Sequence, residues 1–155
     1  MRNAEPERFD LRAVLDSITQ AYGDAYAGRV FEFNCDVDAA AAEGSPELLI
    51  QMLDKLVDNA ISLSPQECEI EISLARDEDS CALSVTNSGS RLPDVMHDQL
   101  FDSLVSMREN RKSGQHLGLG LHIVRLVAEA HGGSVSARNL PQDAGVEFTI
   151  HLPIV

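Results

Sequence analysis

Apolar positions along the chain follow two periods, one helical and one of strict alternation. Leu11, Val14, Leu15, Ile18 and Tyr22 recur at helical spacing behind Asp10, whose short side chain suits an N-cap. Phe31, Phe33, Cys35 and Val37 then alternate with polar residues, as a half-buried strand requires. The small, polar stretch 38–44 reads as a loop. Ser45-Pro46-Glu47 supplies a capping hydroxyl, a preset φ and a first-turn carboxylate, and starts a helix that runs to about Leu63, where Ser64-Pro65 stops it. One face of this helix is Leu49, Met52, Leu53, Leu56 and Ala60; Gln51, Lys55, Asn59 and Ser62 form a polar stripe on another.

Two more alternations follow: Cys68, Ile70, Ile72 and Leu74, then Cys81, Leu83 and Val85 up to Asn87, with 76–80 as the turn between them. Residues 88–93 read as a loop, 94 to about 104 as a short helix, and 106–117 as a polar, basic, flexible segment. A helix over 118–130 carries Leu121, Val124, Val127 and Ala128 on one face. His131-Gly132-Gly133 ends it, because glycine tolerates the left-handed conformation of a C-terminal cap. Val135 and Ala137 mark a strand, 139–145 a turn, and Val146, Phe148, Ile150 and Leu152 a final strand. Consecutive strands on short turns favour an α/β fold: a mixed sheet of about five strands with three helices on one face. Residues 1–8 read as an N-terminal tail and 9–155 as one domain, which a length of 155 accommodates.

Charge narrows the function. With 25 acidic against 12 basic residues the net charge is -13, a surface that repels a phosphate backbone and argues against nucleic-acid binding. No apolar run is long enough to cross a bilayer, so the domain is expected to be cytoplasmic and without membrane contact. Cys35, Cys68 and Cys81 lack a CxxC pair and sit in apolar alternations, which predicts buried thiols in a reducing compartment. The histidines show no metal-ligand spacing. Four of the 12 basic residues fall between Arg91 and Lys112, and Arg108, Arg111 and Lys112 crowd together there. On charge alone that cluster is a solvated loop.

Four segments carry candidate chemistry. Asn59 offers an amide oxygen, a hard ligand suited to Mg²⁺, if its helix face meets a nucleotide; otherwise it is a surface residue. Val85-Thr86-Asn87-Ser88-Gly89 ends a strand in an amide able to accept from an adenine amine, with a glycine that lets the ring approach. Leu100, Phe101, Leu104 and Val105 could close over a site or bury a helix. Gly114 to Leu121 brings glycines to a helix start, where main-chain amides bind phosphate.

In this order the segments resemble the boxes of histidine kinases. Leu49 to Ala60 resembles the N box, Asn87 to Pro93 the G1 box, Leu100 to Val105 the F box, and Gly118-Leu119-Gly120-Leu121 the G2 box. The resemblance covers about residues 9–153 and points to the GHKL ATPase superfamily, closest to histidine kinase catalytic domains. It implies a two-layer sandwich of the Bergerat type that binds ATP between the N-box helix and a flexible lid. It implies that Asn59 coordinates Mg²⁺, that Asn87 and Gly89 hold adenine, and that Gly118, Leu119, Gly120 and Leu121 bring lid main chain to the phosphates. Arg108, Arg111 and Lys112 then become phosphate contacts.

Two box positions depart from the pattern. Lys55 stands where Asn or an acid is usual; a cation cannot activate water as a base, which suits a kinase. Lys55 either touches a phosphate or pairs along the helix with Asp54 or Asp58. Asn87-Ser88-Gly89-Ser90-Arg91 replaces the usual acid by an amide and the second glycine by arginine. Loss of a charged acceptor weakens adenine binding by about 1–2 kcal/mol, near ten-fold, and Arg91 stiffens the loop. None of His97, His116, His122, His131 and His151 has the setting of the family's phosphoacceptor, and His131 reads as structural. The resemblance therefore implies a domain that passes phosphate to a histidine on a separate dimerisation domain, feeds a response regulator indirectly, and is a monomer by itself. Alternatives are a serine kinase of the anti-sigma type and a degenerate domain that binds nucleotide or a partner protein without catalysis.

Overall fold

The computed structural model describes residues 6–64, 68–88, 121–141 and 144–154. Seven strands and three helices lie in that part: β1 (Glu7–Asp10), α1 (Leu11–Ala25), β2 (Phe31–Cys35), β3 (Ala41–Gly44), α2 (Pro46–Leu63), β4 (Ile70–Arg76), β5 (Ser80–Asn87), α3 (Leu121–Ala130), β6 (Ser134–Asn139) and β7 (Val146–Pro153). Both predicted N-caps are formed. Asp10 accepts from Arg12 N at 3.1 Å and Ser45 Oγ from Leu48 N at 3.2 Å, each satisfying an orphan donor of the first helical turn.

Five strands form one mixed sheet in the order β2-β4-β5-β7-β6, with β2 and β4 parallel and the other pairs antiparallel. The register sets Phe33, Ile72, Val85, Phe148 and Ala137 in one row across it. Because side chains alternate along a strand, that row and those in phase with it all face the same side. That side is the core: Ile70, Ile72, Leu74, Cys81, Leu83, Val85, Val146, Phe148, Ile150 and Leu152 are buried. α1 packs over β2 and β4, α2 over β5, and α3 over β6 and β7. The far face is polar, and Ser84 and Thr149 join hydroxyls across it at 3.1 Å.

The structure departs from the sequence reading at the N-terminal end. Glu7–Asp10 and Ala41–Gly44 pair antiparallel as a separate two-stranded sheet, where a tail and a loop were expected. Neither segment alternates, so only their mutual pairing makes them strands. Asp10 ties them to α1 by also accepting from Ala40 N at 3.1 Å. The turn after β4 is shorter than expected, since strand pairing extends through Arg76 and resumes at Ser80. The cysteines differ too: Cys81 is buried, but Cys35 on the edge strand and Cys68, ahead of β4, are half-exposed. The expected short helix at 94–104 and the lid at 106–117 lie outside the described residues.

Candidate functional site

Asn59 lies one turn from the end of α2, adjoining the apolar face that α2 turns to the sheet. It is only 3% exposed, so it is not the surface residue a lone helical asparagine would be. Its Nδ2 donates to Lys55 O at 3.0 Å, a bond back to the preceding turn that fixes the amide's orientation. Lys55 itself is half-buried, and among the described residues it forms no ion pair. Its neighbouring carboxylates are engaged elsewhere: Tyr22 donates to Asp54 at 2.7 Å and Tyr26 to Asp58 at 3.2 Å. Pairing along the helix is therefore not what Lys55 does here.

Asn87 closes β5. The register puts it in the row of Ile70 and Val146, on the helix-facing side of the sheet, where every in-phase residue of β5 is apolar. Its side chain is fully buried. Nδ2 donates to Ser88 O across a long 3.4 Å, while Oδ1 has no hydrogen-bond partner among the described residues. Native proteins rarely leave a buried acceptor in that state, and the exceptions call for a ligand or water. α2 packs against both β5 and α3, so the elements carrying Asn59, Asn87 and Leu121 meet. Leu121, the first described residue of α3, is fully buried in the core. His122, next in sequence, has an Nδ1 that is likewise buried without a partner among the described residues. Nothing in the spacing of histidines marked it.

Gly89, Arg108, Arg111, Lys112, Gly118, Leu119 and Gly120 lie outside the described residues, as does Arg91. The described histidine at the helix end, His131, is structural as expected. Its Nδ1 lies 2.8 Å from Val127 O and so carries the proton, which leaves Nε2 to accept from Ser45 N at 3.0 Å. Among the described residues no three His, Cys, Asp or Glu side chains group as a metal site, and no helix is long and apolar enough to cross a membrane.

Comparison with known proteins places this geometry. The sequence model of histidine kinase-, DNA gyrase B- and HSP90-like ATPases matches residues 44–155. The chain is 33% identical to the sensor protein DivL of Caulobacter vibrioides over 141 residues, covering 90% of this chain and 18% of DivL. It is 31% identical to the sensor protein CreC of Escherichia coli K12 over 144 residues, covering 92% of this chain and 30% of CreC. The chain thus spans less than a third of either relative's length. The solved catalytic domain of the histidine kinase ThkA superposes with a TM-score of 0.80 at 25% identity, covering 97% of this chain and 96% of that domain. On the family match, these relatives and the shared fold, the chain belongs to the histidine kinase-, DNA gyrase B- and HSP90-like ATPases, as an ATPase domain of the sensor histidine kinase kind.

Proposed function

We propose that this domain binds Mg-ATP and passes the γ-phosphate to a histidine on a separate dimerisation and phosphoacceptor domain of a parent kinase, in two-component signalling. Asn87 carries the reading. A buried acceptor left unsatisfied costs about 1–3 kcal/mol, and an adenine amine that donates to Oδ1 removes the cost. Asn59 offers an amide oxygen of the hard type that Mg²⁺ takes, and would hold the metal beside the phosphates. The metal's contribution is to neutralise charge on the phosphates during in-line transfer. Lys55 contacts a phosphate and, as a cation, cannot activate water, so phosphate is kept for the histidine. Gly89 admits the ring; Gly118, Leu119, Gly120 and Leu121 present main-chain amides; Arg108, Arg111 and Lys112 supply the positive charge that a surface of net charge -13 otherwise lacks. The response regulator is an indirect partner, the site of action is the cytoplasm, and the isolated domain is a monomer.

Calorimetric titration with ATP and ADP, with and without Mg²⁺, beside Asn59→Ala tests the reading. Magnesium-dependent binding that the variant loses is the expected result; no binding at millimolar ATP overturns it. Transfer is then checked with the phosphoacceptor domain of a related kinase, where an acid-labile phosphohistidine is expected. An acid-stable phosphoserine on another substrate would point to the anti-sigma type. Lys55 and the neutral Asn87 favour one further reading, a domain that binds nucleotide or a partner and transfers nothing; binding without any transfer would support it.

A further inference from the structure

We infer that Gly145 is a positioning residue for base selection, holding Asn87 so that the buried amide accepts from a 6-amino purine and rejects a 6-oxo one. The inference rests on the ATP-binding reading and extends it to a residue outside the four boxes. Gly145 is buried directly before β7, at the point where β7 begins to pair with the end of β5. A Cβ placed on it would lie 2.0 Å from Asn87 O, 2.9 Å from Asn87 C and 2.9 Å from Ser88 Cα. All three are main-chain atoms, so no side-chain rotation relieves the overlap; the Asn87-Ser88 backbone has to move. Gly145 cannot yield instead, because its carbonyl accepts from Leu140 N at 2.9 Å in the β6–β7 turn and its φ of +144° is strained for any other residue.

What the Asn87-Ser88 backbone holds in place is the polarity of the amide. The oxygen and NH₂ of an asparagine are nearly the same in shape, and only hydrogen bonding decides which points where. Here Nδ2 is held by Ser88 O, across a bond already long at 3.4 Å, so that Oδ1 is the atom left buried and without a partner among the described residues. Displacing Ser88 breaks that bond and frees the amide to turn. A turned amide donates, which suits the 6-oxo group of hypoxanthine as well as the unturned one suits adenine. A carboxylate could never turn in this way, so the dependence on Gly145 follows from the neutral side chain at position 87.

The test compares dissociation constants for ATP and ITP in the wild type, Gly145→Ala and Gly133→Ala. Gly133 is the matched control: its added Cβ would lie 2.0 Å from His151 O, an overlap of the same size at the other end of β7. The wild type and Gly133→Ala are expected to prefer ATP by about ten-fold. Gly145→Ala is expected to bring the ratio close to one, chiefly by loss of ATP affinity. Equal losses for both nucleotides, or an unchanged ratio, overturn the inference. So does a wild type that binds both alike, whereas a wild type that binds neither overturns the ATP-binding reading itself. If Gly145→Ala does not fold by circular dichroism, the double variant Ser88→Gly/Gly145→Ala gives the displaced loop the freedom to settle. A wild-type ratio in that variant also overturns the inference.

Discussion

Asn59, Asn87, Tyr22 and Cys81 are polar or ionisable side chains placed where water is excluded, and each meets burial differently. Tyr22 satisfies its hydroxyl on Asp54, and burial together with that carboxylate pushes its pKa well above the ordinary phenol value, so it stays a donor. For Cys81 burial outweighs the Arg76 cation across the strand pair, which favours a thiolate, and pushes the thiol up to about 11. Two results are expected. A thiol reagent at pH 8 should modify Cys35 and Cys68 in the native domain and reach Cys81 only on unfolding, which mass spectrometry after urea titration would show. The unfolded thiol ionises first, near 9.0, so the stability that Cys81 contributes is full below that pH and is lost as the pH rises to about 11. Denaturant midpoints across that range check the sign against Cys81→Ala, whose curve should be flatter. At this scale the sequence was informative about Asn87: it falls in phase with Cys81, Leu83 and Val85, so alternation alone puts it on the buried face. For Asn59 it was not, because the polar stripe of α2 mixes a buried residue with the exposed Gln51 and Ser62.

Among elements, the contacts that hold α2 in place come from far along the chain. Tyr22 and Tyr26 fasten α1 to it through Asp54 and Asp58, and both rings pack on Phe31 at centroid distances of 5.7 and 5.9 Å. Arg29 closes its C-terminus by donating to Ser64 Oγ at 2.7 Å, Ser64 O at 3.1 Å and Ile61 O at 3.2 Å, which satisfies carbonyls that the helix leaves orphaned. His131 holds the other end by linking Val127 O of α3 to Ser45 N. Gly44 makes room for that ring, since a Cβ there would lie 2.1 Å from Cδ2 and 2.4 Å from Nε2. His131→Ala should cost about 1–3 kcal/mol by stranding Ser45 N and removing a packed ring. Gly44→Ala should cost a similar amount by expelling the ring and breaking the same bond. The double variant should then cost less than the sum, measured by chemical denaturation; strict additivity would mean that the two residues do not share one interaction.

Over the whole molecule the balance of charge opposes compaction. Net charge is -13, and the exposed pairs Arg125–Glu129 at 3.1 Å and Arg138–Glu147 at 2.8 Å offset little of the repulsion. The melting temperature should therefore rise as NaCl goes from about 0.02 to 0.2 M, where screening shortens to roughly 10 Å or less. A flat or falling curve would show that the acidic residues are too dispersed to repel. The same charge bears on function, because it makes the few cations near the expected lid the natural place for a polyphosphate.

Helix and strand periods, the two N-caps and the glycine stop after α3 are local properties, and local properties are written in neighbouring residues. For that reason the sequence by itself determined the three described helices, the five strands of the main sheet, most of their core-facing residues and the family to which they belong. The pairing of Glu7–Asp10 with Ala41–Gly44, the clasps on α2 and the approach of Gly145 to Asn87 were decided only by the tertiary structure. Each joins segments distant in the chain, and no period within either segment records the existence of the other. Glycine is the clearest case: its sequence symbol is the same whether it ends a helix, clears a histidine ring or lets two strands touch, and only the atoms across from it say which.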